Sequence, residues 1–239
     1  MAYREFAPGW KFVDRTQGVK QLIFVGYPHT SRRDFLLTQA ISFLTGRALS
    51  TLVIQTEFEG LRALLLRMLR CVPVPQTRGL GMVDTVIRDL VIDSSVSLAL
   101  CPEGQTERAP HWRTGYYIIT LATGIPVSYV AFDYCRRIVT LGEPVQMTGS
   151  VTLDLQHARK SLSDGVGYRS DAAGPVTFPP GWTLDAGRLD AQRKRAAEAR
   201  LMPTGLEDAV VTRLACAGSL AHQPAPARGA LDRSRADGQ

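Results

Sequence analysis

The chain has few of the features that assign a protein to a common class. Its four cysteines form no Cys-x-x-Cys pair, so the sequence predicts neither a metal cluster, nor a redox dithiol, nor a disulfide framework. Reduced thiols in a cytoplasmic protein fit this cysteine pattern best. No Gly-x-Ser-x-Gly sequence is present, which excludes a serine nucleophile at a strand-to-helix elbow.

Long hydrophobic runs are also scarce. The best candidate for a membrane span, 35–54, carries Gln39 and Arg47 near its middle, and a charge there costs about 2.5–3.5 kcal/mol in the bilayer core. We therefore interpret this stretch as a helix, a loop and a strand. Met1 to Trp10 lacks a basic start followed by an apolar run, so no signal peptide is expected. These patterns predict a protein that lies on a membrane rather than in it.

The overall composition is that of an ordinary globular protein, with 45% hydrophobic and 21% charged residues among 239. The formal net charge of +6 favours anionic partners, namely membrane surfaces, nucleic acids or phosphorylated substrates. The sequence has no zinc-finger or RNA-recognition motif and no dense basic helix in its body, so we expect no nucleic-acid partner.

Short β-prone runs alternate with amphipathic helical patterns through the middle of the chain, which predicts a layered α/β fold. The predicted strands are 22–27, 52–54, 96–101, 126–132 and 137–141; the predicted helices are 61–69, 82–92, 114–122 and one that Thr30 or Ser31 caps. The composition changes near Gln156. Residues 1–155 are expected to form the folded domain, and 156–239 an extension rich in Ala, Arg, Pro and Gly that is partly disordered, with a charged helix at 190–201.

The strongest chemical signal is a histidine that follows a predicted strand. His29 comes after the strand 22–27, and Asp34 lies in the first turn of the next helix. Catalytic groups of α/β sheets gather at this edge. A carboxylate bonded to one ring nitrogen fixes the tautomer and leaves the other nitrogen as a general base. On spacing alone, a histidine that merely caps or packs is the favoured interpretation.

A second signal closes the strand 96–101. The turn Pro102-Glu103-Gly104 places a carboxylate at the same sheet edge as His29, where it could hold hydroxyl groups of a substrate. The alternative is an ordinary Pro-Gly turn with an exposed glutamate.

Together these motifs resemble the glycerol-phosphate and lysophosphatidate acyltransferases (the PlsC-like superfamily), especially short bacterial members without a transmembrane anchor. The likeness runs from Gly9 to Asp154. The matching segments are 28–31, 34–35, 72–74, 102–104, 112–116, 124–127 and 133–134. The resemblance implies the acyltransferase fold of that family, a mixed sheet with flanking helices, for residues 1–155.

The resemblance also implies a mechanism. His29, oriented by Asp34, would deprotonate an acceptor hydroxyl, which attacks the thioester carbonyl of acyl-CoA or of an acyl carrier protein. Glu103 and Gly104 would bind the acceptor, and Pro126 would shape the pocket. No metal or cofactor is implied beyond the acyl donor. The acceptor would resemble lysophosphatidate, and the protein would be peripheral on the cytoplasmic face of the cell membrane.

The chain departs from the family where basic residues usually hold the acceptor's phosphate. Gln76 stands where an arginine is usual, and Glu103-Gly104-Gln105-Thr106 replaces the usual Glu-Gly-Thr-Arg, so the bidentate bonds of a guanidinium are missing at both places. Arg78 and Arg108 lie close by in sequence and are candidate substitutes; a solvated loop position is the alternative for both. The same chemistry on an unphosphorylated acceptor, or a catalytically silent lipid-binding homologue, are therefore the competing hypotheses.

Arg32 and Arg33 place two cations beside the predicted catalytic pair. They could bind phosphate or attract an acidic carrier protein, and a nearby cation would disfavour protonated His29; one of them could instead face water. Trp112, Tyr116 and Tyr117 are better explained as core aromatics than as an acyl channel. For membrane docking, the candidates are the apolar face of 35–44 and the basic segment 61–70.

Overall fold

A computed structural model describes residues 4–7, 9–74 and 80–201, and within them the chain forms one eight-stranded sheet and six α-helices. The strands are β1 (Arg4–Ala7), β2 (Trp10–Asp14), β3 (Ile23–Tyr27), β4 (Ala48–Ile54), β5 (Cys71–Val74), β6 (Val96–Leu100), β7 (Val127–Asp133) and β8 (Ile138–Leu141). The helices are α1 (Arg33–Thr45), α2 (Gly60–Met68), α3 (Leu80–Ile92), α4 (Gly115–Thr123), α5 (Val151–Ser161) and α6 (Ala186–Arg200).

The sheet is mixed, in the order β1-β2-β8-β7-β3-β6-β4-β5. The run β7-β3-β6-β4-β5 is parallel, and a helix connects each strand to the next in sequence, as parallel pairing requires. β8 is antiparallel to β7 and parallel to β2, while β1 is antiparallel to β2. The α/β class and the mixed sheet with flanking helices are confirmed.

The sheet has a hydrophobic core on each face. Successive residues of β3 point to opposite faces, so Ile23 and Val25 join one cluster and Phe24 joins the other. The larger cluster contains the inward faces of α3, α4, α5 and α6. The smaller one contains Leu37 and Ile41 of α1. Both faces of β3 are therefore covered, so the strand and the segment at its carboxyl end are held between two hydrophobic cores.

The elements predicted between residues 22 and 141 are present, and their ends differ from the predictions by at most four residues. The start of α1 is held by two side chains. Arg32 is its N-cap by backbone conformation, and the hydroxyl of Ser31, one of the two predicted capping residues, accepts the Arg33 N–H at 3.1 Å. The main-chain N–H groups of Thr30 and Ser31 donate to the Asp34 carboxylate. The predicted helix at 190–201 begins earlier, because Asp185 accepts the Arg188 N–H and caps α6.

The folded body extends past residue 155, which corrects the predicted domain boundary. Position 155 lies inside α5, and α6 packs against α3 and α4. Leu189, Ala196 and Ala199 of α6 belong to the larger core, as does Phe178. The alanine-rich composition misled the prediction, since small side chains allow a charged helix to pack closely on one face. The predicted disorder of 223–239 falls outside the described residues.

Among the helices that the structure describes, none combines the length and the hydropathy needed to cross a membrane.

Candidate functional site

The two sequence signals meet at the carboxyl edge of the parallel sheet. β3 and β6 are adjacent and in register, with Val25 opposite Leu100, so the segments that come after them emerge side by side. Contact between them is direct: the main-chain N–H of His29 donates to Glu103 Oε2 at 2.5 Å. The sequence prediction that both carboxylates gather at this edge is therefore correct in its geometry.

Asp34 holds the imidazole ring of His29. Its side chain is fully buried, and Oδ2 lies 3.1 Å from His29 Nδ1 while accepting the N–H groups of Thr30 and Ser31. The hydroxyl of Tyr134 donates to the other oxygen, Oδ1, at 2.5 Å. With four donors converging on one carboxylate, the orientation of Asp34 is fixed. An ionised Asp34 favours a proton on Nδ1, which leaves Nε2 to exchange one with a substrate.

The charge state of His29 depends on its neighbours. Burial alone would lower the pKa of His29, but the Cys101 sulfur and the Asp34 carboxylate more than offset this and raise the pKa to about 11. The sequence had predicted the opposite direction from Arg32 and Arg33, and that prediction is wrong. Arg32 instead pairs with Glu57 at 3.2 Å, and the Arg33 guanidinium lies 4.4 Å from the ring centroid of Tyr168.

Glu103 is buried and binds two main-chain N–H groups of the protein. Only 2% of its surface is exposed; Oε2 accepts the N–H of His29, and Oε1 accepts the N–H of Gly174 at 2.8 Å. Burial raises the pKa of this carboxyl. The sequence predicted a carboxylate presented to acceptor hydroxyls. The observed contacts give Glu103 the task of positioning His29, and exclude the exposed turn that was the alternative.

Gly174 approaches Glu103 too closely for any side chain. A Cβ at this position would lie 2.5 Å from the main-chain oxygen of Ala109 and 3.1 Å from Glu103 Oε1. Its own carbonyl accepts the hydroxyl of Tyr27 at 2.9 Å. The segment after residue 155, which the sequence assigned to an extension, thus supplies a wall of the site.

Because Gly104 has no side chain, the Arg113 guanidinium fits against it. Its φ of +69° lies in the left-handed region, and a Cβ there would fall 2.5 Å from Arg113 Nε. The exposed Arg113 guanidinium therefore lies directly over the Pro102-Glu103-Gly104 turn. The sequence grouped Arg113 with a family motif but assigned it no role.

Arg169 is a second cation that the sequence missed. Its Nε donates to the Thr30 carbonyl at 3.0 Å and its Nη2 to the Thr106 carbonyl at 2.7 Å, so the guanidinium joins the loop after β3 to the loop after β6. No motif marks it, because it lies 139 residues along the chain from Thr30, the contact nearest His29. Only the tertiary fold brings it there.

The predicted phosphate ligands have other partners. Arg108 Nη1 donates to the main-chain oxygens of Ala173 and Asp171, at 2.9 and 3.4 Å, which ties the segment after 155 to the loop after Glu103. Arg78, with Gln76, lies outside the described residues. Pro126 is not at the site: it precedes β7, whose first residue pairs with Ile23, so it lies at the opposite edge of the sheet, beyond about 13 Å of strand. Its predicted role in shaping the pocket is wrong.

The aromatic residues after Glu103 form core. Trp112, Tyr116 and Tyr117 are at most 3% exposed and pack edge-on or tilted against one another and against Phe178. Phe178, which packs on Tyr116 and Tyr117, comes from the segment after residue 155. The interpretation as core aromatics is confirmed.

Within the described ranges, no group of three or more His, Cys, Asp or Glu side chains is placed to hold a metal ion. The polar groups that do converge suit proton transfer: an imidazole, a buried carboxylate on its ring, a carboxylate on its main chain, and two guanidiniums at the rim. Cys101, the last residue before the turn, is partly exposed and interacts with the imidazole.

Comparison with known proteins adds no relative. No protein-family model matches the chain, no curated protein matches it, and no solved structure matches it. The resemblance seen in the sequence therefore stays a prediction, and the geometry of the site is the basis on which a function can be proposed.

Proposed function

We propose that the protein is an O-acyltransferase of the PlsC-like type, which moves a fatty acyl chain from a thioester to a hydroxyl group. The observation that carries the proposal is the buried Asp34 bound to Nδ1 of His29 at the carboxyl edge of β3. A carboxylate-held imidazole at the end of a strand, with no serine elbow in the sequence, fits a base that acts directly on the acceptor.

In the proposed reaction, the neutral form of His29 takes the proton of the acceptor hydroxyl at Nε2 as the oxygen attacks the thioester carbonyl. Because the pKa of His29 is raised, this neutral form is the minor one at neutral pH, and kcat/KM should rise with pH. The tetrahedral intermediate then collapses, the carbon–sulfur bond breaks, and the proton passes from the imidazolium to the leaving thiolate. Asp34 stabilises the imidazolium that exists between these two steps. Glu103 binds the main-chain N–H of His29 and thereby fixes the position of the imidazole ring relative to the substrate.

Arg113 and Arg169 are the cations best placed to bind a phosphate of the acceptor. Arg113 lies over the turn that contains Glu103, and Arg169 bridges that loop and the one containing Thr30. In this proposal they bind the phosphate in place of Arg108, whereas Arg78 lies outside the described residues and its predicted role stays a prediction. The proposed donor is acyl-CoA or an acyl carrier protein, the acceptor resembles lysophosphatidate, and the proposed location is the cytoplasmic membrane surface.

The test is an acyl-transfer assay with a long-chain acyl-CoA and, separately, an acyl carrier thioester. Each donor is combined with lysophosphatidate or with the matching unphosphorylated monoacylglycerol, and both free thiol and acylated product are measured. We expect product with lysophosphatidate in the wild type and none in His29→Ala. An Arg113→Gln variant removes an exposed guanidinium over the turn, and it should raise the KM for lysophosphatidate and leave the KM for monoacylglycerol unchanged.

Other outcomes separate the alternatives. Product from the unphosphorylated acceptor alone would establish the chemistry and reject the phosphate site. Acyl-chain binding without turnover from either donor would reject the enzyme and favour a silent lipid-binding homologue. Activity that persists in His29→Ala would reject the proposed base.

A further inference from the structure

Helix α2 exposes most of its apolar residues. Leu61, Leu64, Leu65 and Met68 are 88, 60, 54 and 74% exposed, whereas Leu66 alone among its leucines is buried, at 5%. Single exposed leucines are ordinary on protein surfaces, but four on a nine-residue helix form a contiguous patch. We call these four side chains the α2 face.

The positions of these residues on the helix are set by its geometry. At about 100° per residue, the four side chains fall within an arc of about 100° that points away from Leu66. Arg62 and Arg67 then lie on either side of this arc, each roughly 110° from its centre. Both arginines are exposed. An apolar stripe bordered by cations on both sides is the pattern of a helix that lies in the plane of an anionic membrane surface.

The α2 face is linked to the candidate site through one carboxylate. Glu57, which precedes α2, forms ion pairs with both Arg62 and Arg32. Arg32 is the N-cap of α1 and comes three residues after His29. The patch and the site are thus on neighbouring loops and helices at the same sheet edge, since β4 runs parallel to β6 and ends there.

A second copy of the chain suits this face less well. The helix is about 14 Å long, which is too short to supply the roughly 800 Å² per partner of a standard interface. Two copies would also bring their arginines together. A lipid surface has neither requirement, because acyl chains accept leucine and methionine side chains while anionic headgroups accept guanidiniums.

We propose that the α2 face is the surface through which the protein docks on an anionic lipid bilayer. Leu61, Leu64, Leu65 and Met68 enter the boundary between headgroups and acyl chains. Arg67 contacts a lipid phosphate, while Arg62 stays paired with Glu57 and adds positive charge on the other side. The sheet edge with His29 then lies close to the headgroup layer. This docking surface rests on the proposed function, but it concerns binding alone and its test needs no turnover.

The test is flotation of the full chain with vesicles of phosphatidylcholine, with and without about 30% phosphatidylglycerol. The variant Leu61→Ser with Leu65→Ser removes the centre of the α2 face; Leu153→Ser with Leu201→Ser is the matched control, because both of these leucines are also exposed. We expect binding to anionic vesicles that falls at least about tenfold in the α2 variant and is unchanged in the control. Equal losses in both variants, or none in either, would overturn the proposal.

A charge variant tests the arginines separately. Arg67→Gln should weaken binding to the anionic vesicles by about fivefold, and Lys194→Gln, an exposed cation on α6, should not. Since all the substituted positions are exposed, circular dichroism and the unfolding midpoint should be unchanged. Loss of a dimer in sedimentation, or of binding to an acyl carrier protein, with vesicle binding intact, would assign the α2 face to that partner and reject the bilayer.

Discussion

Two buried carboxylates hold His29, and they do so in different ways. Asp34 lies five residues away, binds the imidazole ring, and receives its other donors from Thr30, Ser31 and Tyr134. Glu103 lies 74 residues away, binds the main chain of His29, and receives its second donor from Gly174. The two carboxylates therefore have separate effects. Asp34 determines the tautomer of the His29 ring, and Glu103 determines the position of the main chain that carries it.

Asp34→Asn should have the largest effect on activity. The amide is nearly the same size but cannot stabilise an imidazolium, and its NH₂ group can face Nδ1 and favour the wrong tautomer. We expect kcat to fall on the order of 10³-fold in an acyl-transfer assay, with a smaller loss of stability. Equal kcat values in Asp34→Asn and wild type would remove Asp34 from the mechanism.

Glu103→Ala should act on stability. It leaves the N–H groups of His29 and Gly174 without an acceptor in a buried setting, so the free energy of unfolding should fall by about 2–4 kcal/mol. Urea denaturation measures this loss. Glu103→Gln keeps an acceptor oxygen and should recover at least half of it. If Glu103→Gln instead raised only the KM for the acceptor, the carboxylate would have the substrate-binding role that the sequence predicted.

The raised pKa of His29 predicts a pH dependence of folding. The protonated ring is favoured in the folded state, so its stabilising contribution is complete below pH 6.5 and is lost as the pH rises toward about 11. Between about pH 6.5 and 9 we expect the free energy of unfolding to fall by about 3 kcal/mol. The fall should be smaller in Asp34→Asn. A wild-type profile with no such difference from His29→Gln would contradict the assignment.

Tyr134→Phe should have the smallest effect. Burial raises the pKa of Tyr134, as does its bond to Asp34, so the hydroxyl remains a donor. Its removal should lower kcat by about fivefold and leave more charge on Asp34 toward the ring. The pKa of His29, followed by NMR of the imidazole carbons, should therefore rise. A lower pKa in this variant would mean that Tyr134 does not act through Asp34.

The sequence predicted the Asp34 half of the site well, because its residues are close together in the chain. A strand, a histidine and an aspartate in the next helical turn leave little freedom in where the carboxylate lies. Tyr134 was part of the resemblance but had no role, since nothing local connects it to Asp34. The layered α/β fold was expected from the alternation of strands and helices, whereas β5 was missed because Pro73 interrupts its apolar run.

The Glu103 half could not be predicted from spacing. The partner of Glu103 is Gly174, in a segment whose small and charged residues indicate no core, and Arg169 gives no signal of its own. Pro126 shows the converse failure: a residue in a recognisable motif was assigned to the site, and the register of β7 against β3 places it at the other edge. The direction of the His29 pKa was wrong because exposed Arg32 and Arg33 turn to Glu57 and Tyr168.

The bond between Glu103 and Gly174 affects the order in which the protein matures. During synthesis, His29 and Asp34 leave the ribosome before Glu103 and Gly174 do. The second hydrogen bond of Glu103, which binds the His29 main chain, forms only after residue 174 has been synthesised. The larger hydrophobic core is complete only after α6. A nascent chain thus contains His29, Asp34 and Glu103 before it contains Gly174. The site is complete only after the segment with Gly174 has been synthesised and has bound Glu103.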